Sequence, residues 1–179
     1  MNPRTSDTHP LQIAFVETPG NGKIGMTFCP GKQDPHAMTG HWDRNLESDL
    51  AAIANWGATA LVTLMELHEL ERVGVSGLGV AAAEQGLDWY HLPIRDVSVP
   101  SATFEAEWVD AGRALRSRLM GGESVVVHCR GGLGRTGLIA ARLLVELGEA
   151  PVSALQRVRT ARPGAVETMG QEKYVLQLR

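Results

Sequence analysis

The chain is 179 residues long, 44% hydrophobic and 21% charged, with a formal net charge of −3 at pH 7. That length and composition fit one globular domain whose core needs no disulfides, and the slight negative charge argues against a nucleic-acid footprint. Two cysteines, Cys29 and Cys129, make no disulfide framework and point to a reducing cytoplasm. The opening MNPRTSDTHP lacks the apolar core of a secretory signal, and no run of about eighteen apolar residues is available to span a membrane.

Taken in order, residues 1–10 are polar and expected to be a frayed, flexible tail, with one domain over 11–179. Residues 11–16 and 23–28 read as short strands around the turn signal Pro19-Gly20-Asn21-Gly22, and 31–40 as a loop. Leu46, Leu50 and Ile53 recur at helical spacing up to Gly57, after which 58–64 has the pattern of a buried strand. Residues 66–72 and 78–85 read as helices. Within the first, Glu66-Leu67-His68-Glu69 lacks a second histidine one turn away, so a solvated face is expected there, not a metal site. A strand over 87–92 leads into the proline-bracketed loop Pro93 to Pro100. A helix over 101–120 then puts Phe104, Trp108, Ala111, Leu115 and Leu119 on one face. Valines 125–127 form the next strand. The helix over 138–147 has only Arg142 and Glu146 as polar residues, so it is expected to be buried nearly all round. Val152, Leu155 and Val158 mark another helix, Pro163-Gly164 a turn, and 168–178 the last helix. Strands alternating with helices predict a single α/β domain with a largely parallel central sheet flanked by helices.

The valine strand and the buried helix enclose His128-Cys129-Arg130-Gly131-Gly132-Leu133-Gly134-Arg135-Thr136. Strand, glycine-rich turn and helix N-terminus make an anion site: N–H groups converge and the helix dipole favours negative charge. Gly131, Gly132 and Gly134 are expected to take conformations that side chains forbid. A cysteine in such an electropositive cup favours the thiolate, and the planar fork of Arg135 can hold two oxygens of one phosphate. Gly132 to Gly137 also spells G-x-G-x-x-G, the dinucleotide fingerprint. That motif wants a strand ending in an acid roughly twenty residues on, where this chain has the basic helical pattern PVSALQRVRTARP, and it leaves Cys129 unexplained.

His128-Cys129-x5-Arg135-Thr136 resembles the phosphate-binding loop of the cysteine-based protein tyrosine phosphatases. Within their dual-specificity branch it is most similar to the kinase-associated (cyclin-dependent kinase inhibitor 3-like) type. The resemblance runs over about residues 23–174. It implies a metal-independent phosphomonoester hydrolase with no cofactor, acting through a cysteinyl-phosphate as a monomer on phosphotyrosine or phosphoserine/phosphothreonine proteins. A small-molecule phosphate such as an inositol phosphate is the alternative, and a silent phospho-binding module a further one. It makes Cys129 the nucleophile and assigns phosphate binding to Arg130, Gly131, Gly132, Leu133, Gly134 and Arg135. Thr136 would stabilise the leaving thiolate and also serve as a helix cap. A rhodanese-like or arsenate-reducing enzyme also uses a loop thiolate, but neither needs an acid loop.

Cleavage of a phosphomonoester needs a proton for the departing oxygen. Asp96, on the loop after a strand, has the position of the family's general acid, and Pro-Ile-x-Asp resembles the kinase-associated wording. Asp88 and Asp110 fall in a strand and a helix, where solvent-facing charge is expected. His128 is expected to orient the loop from beneath. Gln171 matches a glutamine of the kinase-associated type but also suits an exposed helix face. Trp42, Arg44 and Asn45 echo that type as structural residues, and Cys29 is expected to pack at a strand end. Arg130 departs from that type, which has no charge directly after the nucleophile. Basic residues there occur in lipid- and inositol-phosphate members of the wider family.

Overall fold

In the computed structural model, which describes residues 2–179, a five-stranded mixed sheet runs through the centre of the molecule. Its strands are β1 (Ala14–Glu17), β2 (Lys23–Thr27), β5 (Ala58–Thr63), β6 (Asp88–His91) and β7 (Ser124–His128), in the order β1-β2-β7-β5-β6. Only β1 is antiparallel to its neighbour; β2, β7, β5 and β6 run parallel. Two further strands pair with each other, β3 (Gln33–Asp34) inside the segment 31–40 expected to be a loop and β4 (Trp42–Asp43) just beyond it. Two-residue strands are too short to leave a period-2 signature, so the sequence gives no sign of them.

β7 is the middle strand, and Val125, Val126 and Val127 are wholly buried. A continuous apolar run of this kind is what a parallel strand covered on both faces requires. The helices are α1 (Leu46–Trp56), α2 (Leu67–Arg72), α3 (Leu78–Glu84), α4 (Ala102–Met120), α5 (Gly134–Glu146), α6 (Pro151–Ala161) and α7 (Met169–Leu176). α5 packs on β2 and β7 with α4, α6 and α7 around it, while α1 and α3 pack together near β5 and β6. Every residue of α5 from Gly134 to Val145 is buried, as its apolar composition predicts. Beyond its first turn, its two polar residues, Arg142 and Glu146, are paired where it meets α4 and α7. Arg142 binds Glu146, Glu105 and the Tyr174 hydroxyl, and Trp108 Nε1 donates to Glu146 at 2.9 Å.

α1 begins and ends on local chemistry. Asn45 accepts from Ser48 N at 2.8 Å as N-cap, and Gly57, at φ 106, closes the helix in the left-handed region. Arg44 lies beneath it, its guanidinium held bidentately by Asp49 at 2.8 Å. Residues 2–10, where a frayed end is expected, lie against this corner. Arg4 N donates to His41 O at 2.8 Å, and Arg44 Nη1 donates to His9 O at 2.7 Å. Met1 lies outside the described residues. No described helix is long and apolar enough to cross a membrane.

Candidate active site

β7 ends at His128, and the chain turns through residues 129–133 into α5 at the carboxyl edge of the sheet, where α/β proteins bind their ligands. The Cys129 Sγ accepts from Gly132 N at 3.2 Å. The N–H groups of Arg130, Gly131 and Leu133 meet no protein acceptor among the described residues. The first-turn N–H groups of α5 have none by construction. Together they form a ring of donors beside a sulfur, suited to the oxygens of a phosphoryl group.

The glycines divide by role. Gly132 sits at φ 70, and a Cβ there would overlap the Thr27 carbonyl oxygen. At Gly134 a Cβ would collide with the Glu167 carboxylate. Only Gly132 takes the left-handed conformation expected of all three, since neither Gly134 nor Gly131 has a positive φ, and a Cβ at Gly131 would meet nothing within 4 Å. Gly131 lines the mouth of the cleft, so no steric need of the backbone dictates glycine there.

Beneath the loop runs a directional chain of hydrogen bonds. Trp89 Nε1 donates to Thr63 Oγ1 at 2.8 Å, and the Thr63 hydroxyl donates to His128 Nε2 at 2.7 Å. Nδ1 of His128 then donates to the Cys129 carbonyl at 3.3 Å. Burial pushes the His128 pKa down to about 4 against the weaker pull of the Cys129 carbonyl, so the ring is neutral at pH 7, and with its proton on Nδ1 it leaves Nε2 to accept from Thr63. The expected orienting role of His128 is therefore what the geometry shows.

Arg135 is 2% exposed. Its Nη1 and Nη2 donate to Glu69 Oε2 and Oε1 at 2.7 and 2.9 Å, and Nη1 also donates to Ile94 O at 2.9 Å. Burial opposes its charge most strongly, but the bonds to Glu69 together with the charges of Cys129, Glu69 and Asp96 outweigh burial and raise its pKa above the ordinary arginine value. Burial alone would raise Glu69, and the bonds from Arg135 instead hold its carboxyl below the usual range. Leu67 and His68 are exposed, as the expected solvated face requires, but Glu69 departs from it. Glu69 is buried, fixed by the Glu66–Glu69 capping box at the start of α2, and aimed at Arg135. No cluster of three potential metal ligands occurs among the described residues.

Asp96 stands across the cleft on its exposed loop, with Oδ1 at 3.1 Å from Arg135 Nη2. The loop turns on Val97, at φ 53, whose N–H donates to Asp96 Oδ1 at 3.0 Å. The rivals stay outside: Asp88 pairs with Arg118 and Asp110 with Arg113 at the surface. Gln171 is wholly buried, which removes the exposed-face alternative. Its Oε1 caps α7 through Glu167 N and Thr168 N, and its Nε2 donates to Ser98 O at 3.2 Å, tying α7 to the acid loop.

Thr136 is the third residue of α5, not its cap, because the helix starts at Gly134, two residues before Thr136. Its hydroxyl is buried and has no hydrogen-bond partner. Arg130 sends its side chain away from the cradle to Asp34 on β3. Arg162, unread in the sequence, braces the loop from outside, its guanidinium donating to the carbonyls of Gly132 and, at 3.1 Å, Gly131. Burial lowers its pKa, opposed by the charge at Cys129. The only early sign of this brace is the Pro163-Gly164 turn that follows it. Lys32, buried over the Phe28 and Trp42 rings, approaches the Arg130 carbonyl at 3.5 Å, and burial lowers its pKa to about 8. Cys29 packs in the core near Lys32, where burial pushes its thiol pKa up.

Cys129, Arg135, Asp96, Val97 and Met38 thus share one cleft of about 330 Å³. A family model described as a polymorphic toxin system, DSP-PTPase phosphatase, matches residues 37–149, which include Asp96 and the whole Cys129–Thr136 loop. Cyclin-dependent kinase inhibitor 3 of Sus scrofa is 29% identical over 76% of this chain, which spans 64% of that relative's length. The crystal structure of kinase-associated phosphatase with its catalytic-site cysteine changed to serine superposes with a TM-score of 0.79. It is 25% identical, over 93% of this chain and 92% of the other. Tk-PTP in its active form matches at 29% identity and a TM-score of 0.64, over 88% and 90% of the two chains. Motif, mixed sheet and cleft agree with these matches: the chain belongs to the dual-specificity branch of the cysteine-based protein tyrosine phosphatases.

Proposed function

We propose that this chain is a phosphomonoester hydrolase acting through a cysteinyl-phosphate, on phosphotyrosine or phosphoserine/phosphothreonine of protein substrates. The observation that carries the reading is the meeting of Cys129, a clamped Arg135 and the loop-borne Asp96 in one cleft. The Cys129 thiolate attacks phosphorus as the bond to the leaving oxygen breaks. Arg135 and the N–H groups from Arg130 to Arg135, including those of Gly131, Gly132, Leu133 and Gly134, hold the three equatorial oxygens. These donors are fixed before substrate arrives, so little reorganisation is needed in the transition state.

Asp96 gives its proton to the departing oxygen. As carboxylate it then takes a proton from the water that attacks the cysteinyl-phosphate, and the S–P electron pair returns to sulfur. The unpartnered Thr136 hydroxyl is free to donate to that thiolate. Nucleophile, cradle and acid are all side chains or backbone of one chain, so the chemistry calls for neither cofactor nor second subunit. A thiolate nucleophile suits a reducing compartment such as the cytoplasm. Because Arg130 is paired with Asp34, it supplies no free extra charge in the cradle, which keeps phosphoproteins ahead of inositol phosphates. Hydrolysis of an aryl phosphate in chelator tests the reading. Wild type should turn over, and Cys129→Ser should not. Residual turnover above a few per cent in Cys129→Ser would remove the cysteine from its role.

A further inference from the structure

Three consecutive carbonyls of the phosphate loop are taken by one short turn between α6 and α7. Arg162 Nη2 donates to Gly131 O at 3.1 Å and its Nε to Gly132 O, while Val166 N donates to Leu133 O at 3.2 Å. The turn is itself held. Arg162 O accepts from Ala165 N at 3.0 Å, and Arg159 donates to Ala165 O at 3.0 Å and to Val166 O at 2.9 Å. It also seats tightly on the first turn of α5, where a Cβ at Gly137 would lie 2.8 Å from both Ala165 Cβ and Val166 N. Among the described residues no acidic side chain pairs with Arg162, and its guanidinium donates to those two loop carbonyls alone.

Peptide planarity carries this outside contact through to the inside of the loop. No peptide bond of the described chain is cis, and in a planar trans peptide the C=O and N–H point in opposite directions. Holding the carbonyls of Gly131, Gly132 and Leu133 on the turn therefore aims the N–H groups of Gly132, Leu133 and Gly134 into the cradle. The first is seen at its target, since Gly132 N donates to the Cys129 Sγ at 3.2 Å. The second, on Leu133, meets no protein acceptor and is open to a phosphate oxygen.

Resting on the phosphatase reading, we propose that Arg162 is a positioning residue for phosphoryl transfer, whose fork holds two successive loop peptides so that one N–H faces the nucleophile and the next faces a phosphate oxygen. Gly131 and Gly132 have no side chains to fix those peptides, and glycine loses the most conformational freedom on ordering. Two nitrogens of one planar guanidinium reach two carbonyls one residue apart, a task for which a single ammonium on a flexible stem is poorly shaped. The charge adds to the aim. A cation on a carbonyl oxygen polarises the amide, which makes its N–H a stronger donor.

The test reads Arg162→Gln and Arg162→Lys in two ways. Aryl-phosphate kcat should fall about 10²-fold in Arg162→Gln, the lower end of what the loss of one oxyanion donor costs. Arg162→Lys should recover only part of that loss. The second reading needs no turnover. The Cys129 sulfur displaces iodide from iodoacetate or from iodoacetamide, and the cradle favours the anionic reagent only while its N–H groups face inward. The ratio of the two alkylation rates should drop roughly tenfold in Arg162→Gln, the scale of one charge-assisted hydrogen bond, and less in Arg162→Lys. A ratio of rates does not depend on the fraction of folded protein, so lost stability cannot imitate the result. Wild-type kcat or a wild-type ratio in Arg162→Gln, or full recovery of both by Arg162→Lys, overturns the positioning role alone. A wild type that cleaves no aryl phosphate overturns the phosphatase reading and this inference with it.

Discussion

Glu69 and Arg135 meet as two forks, with both carboxylate oxygens on both terminal nitrogens at 2.7 and 2.9 Å, in a setting almost closed to water. The pair does more than neutralise a buried charge. It fixes the guanidinium in place and leaves Nη2 at 3.1 Å from Asp96 Oδ1. A residue 66 positions from Arg135 in the chain therefore fixes where that guanidinium lies in the cleft.

Removing that carboxylate leaves an uncompensated buried cation. Glu69→Ala should lower stability by about 3 kcal/mol and cut kcat/KM as well. Glu69→Gln should keep more of the stability but misplace Arg135. Urea unfolding alongside aryl-phosphate kinetics checks this, and wild-type kcat/KM in Glu69→Gln would show that Arg135 needs no such clamp.

Asp96→Asn should reduce kcat by about 10²–10⁴-fold on tyrosyl or alkyl phosphates. The loss should shrink for an aryl phosphate whose phenol departs without a proton. Asp96 is exposed and makes few contacts, so the melting temperature should hold. An equal loss on every leaving group would mean that another carboxylate is the acid.

Thr136→Val removes a buried hydroxyl that has no partner. Stability should be no lower than wild type, since an unsatisfied polar group is lost. Breakdown of the cysteinyl-phosphate should slow, giving a burst of phenol followed by a depressed steady state. A variant without a burst and with normal turnover would remove Thr136 from the second step.

The neutral His128 gives a pH signature. Its pKa is about 4 in the folded chain, against an ordinary 6.5. Between those values the unfolded chain binds a proton that the folded chain does not, so the stability linked to His128 is full above about pH 6.5. It is lost as pH falls toward 4, by about 3 kcal/mol in all. Denaturant unfolding from pH 7 to 4 should therefore show a shallower loss in His128→Gln than in wild type. Equal slopes would place a charged imidazole under the loop.

The sequence made the loop legible because each part of the cradle is local: strand, glycines, arginine and helix are contiguous. The same holds for α5, whose apolar circumference states its burial outright. Asp96 was singled out by the logic of a loop after a strand, and its carboxylate lies 3.1 Å from Arg135. Glu69 was misread because helical spacing cannot tell a solvated face from one turned onto a distant arginine, 66 positions along the chain. Arg162 was missed for the same reason: its acceptors are carbonyls of Gly131 and Gly132, and carbonyls carry no side-chain signal. Thr136 was placed at a helix cap because the sequence does not say that α5 already begins at Gly134. In each case the missing information is a contact between segments that only folding brings together.

The central claim is that Cys129 carries the phosphoryl group. Acid-quenching wild type and Asp96→Asn during turnover of an aryl phosphate, then mapping peptides by mass, measures this directly. A phosphoryl adduct should appear on the peptide containing Cys129, accumulate further in Thr136→Val, and be absent from Cys129→Ser. An active wild type with no adduct in any of these proteins, or an adduct on another residue, would contradict the account.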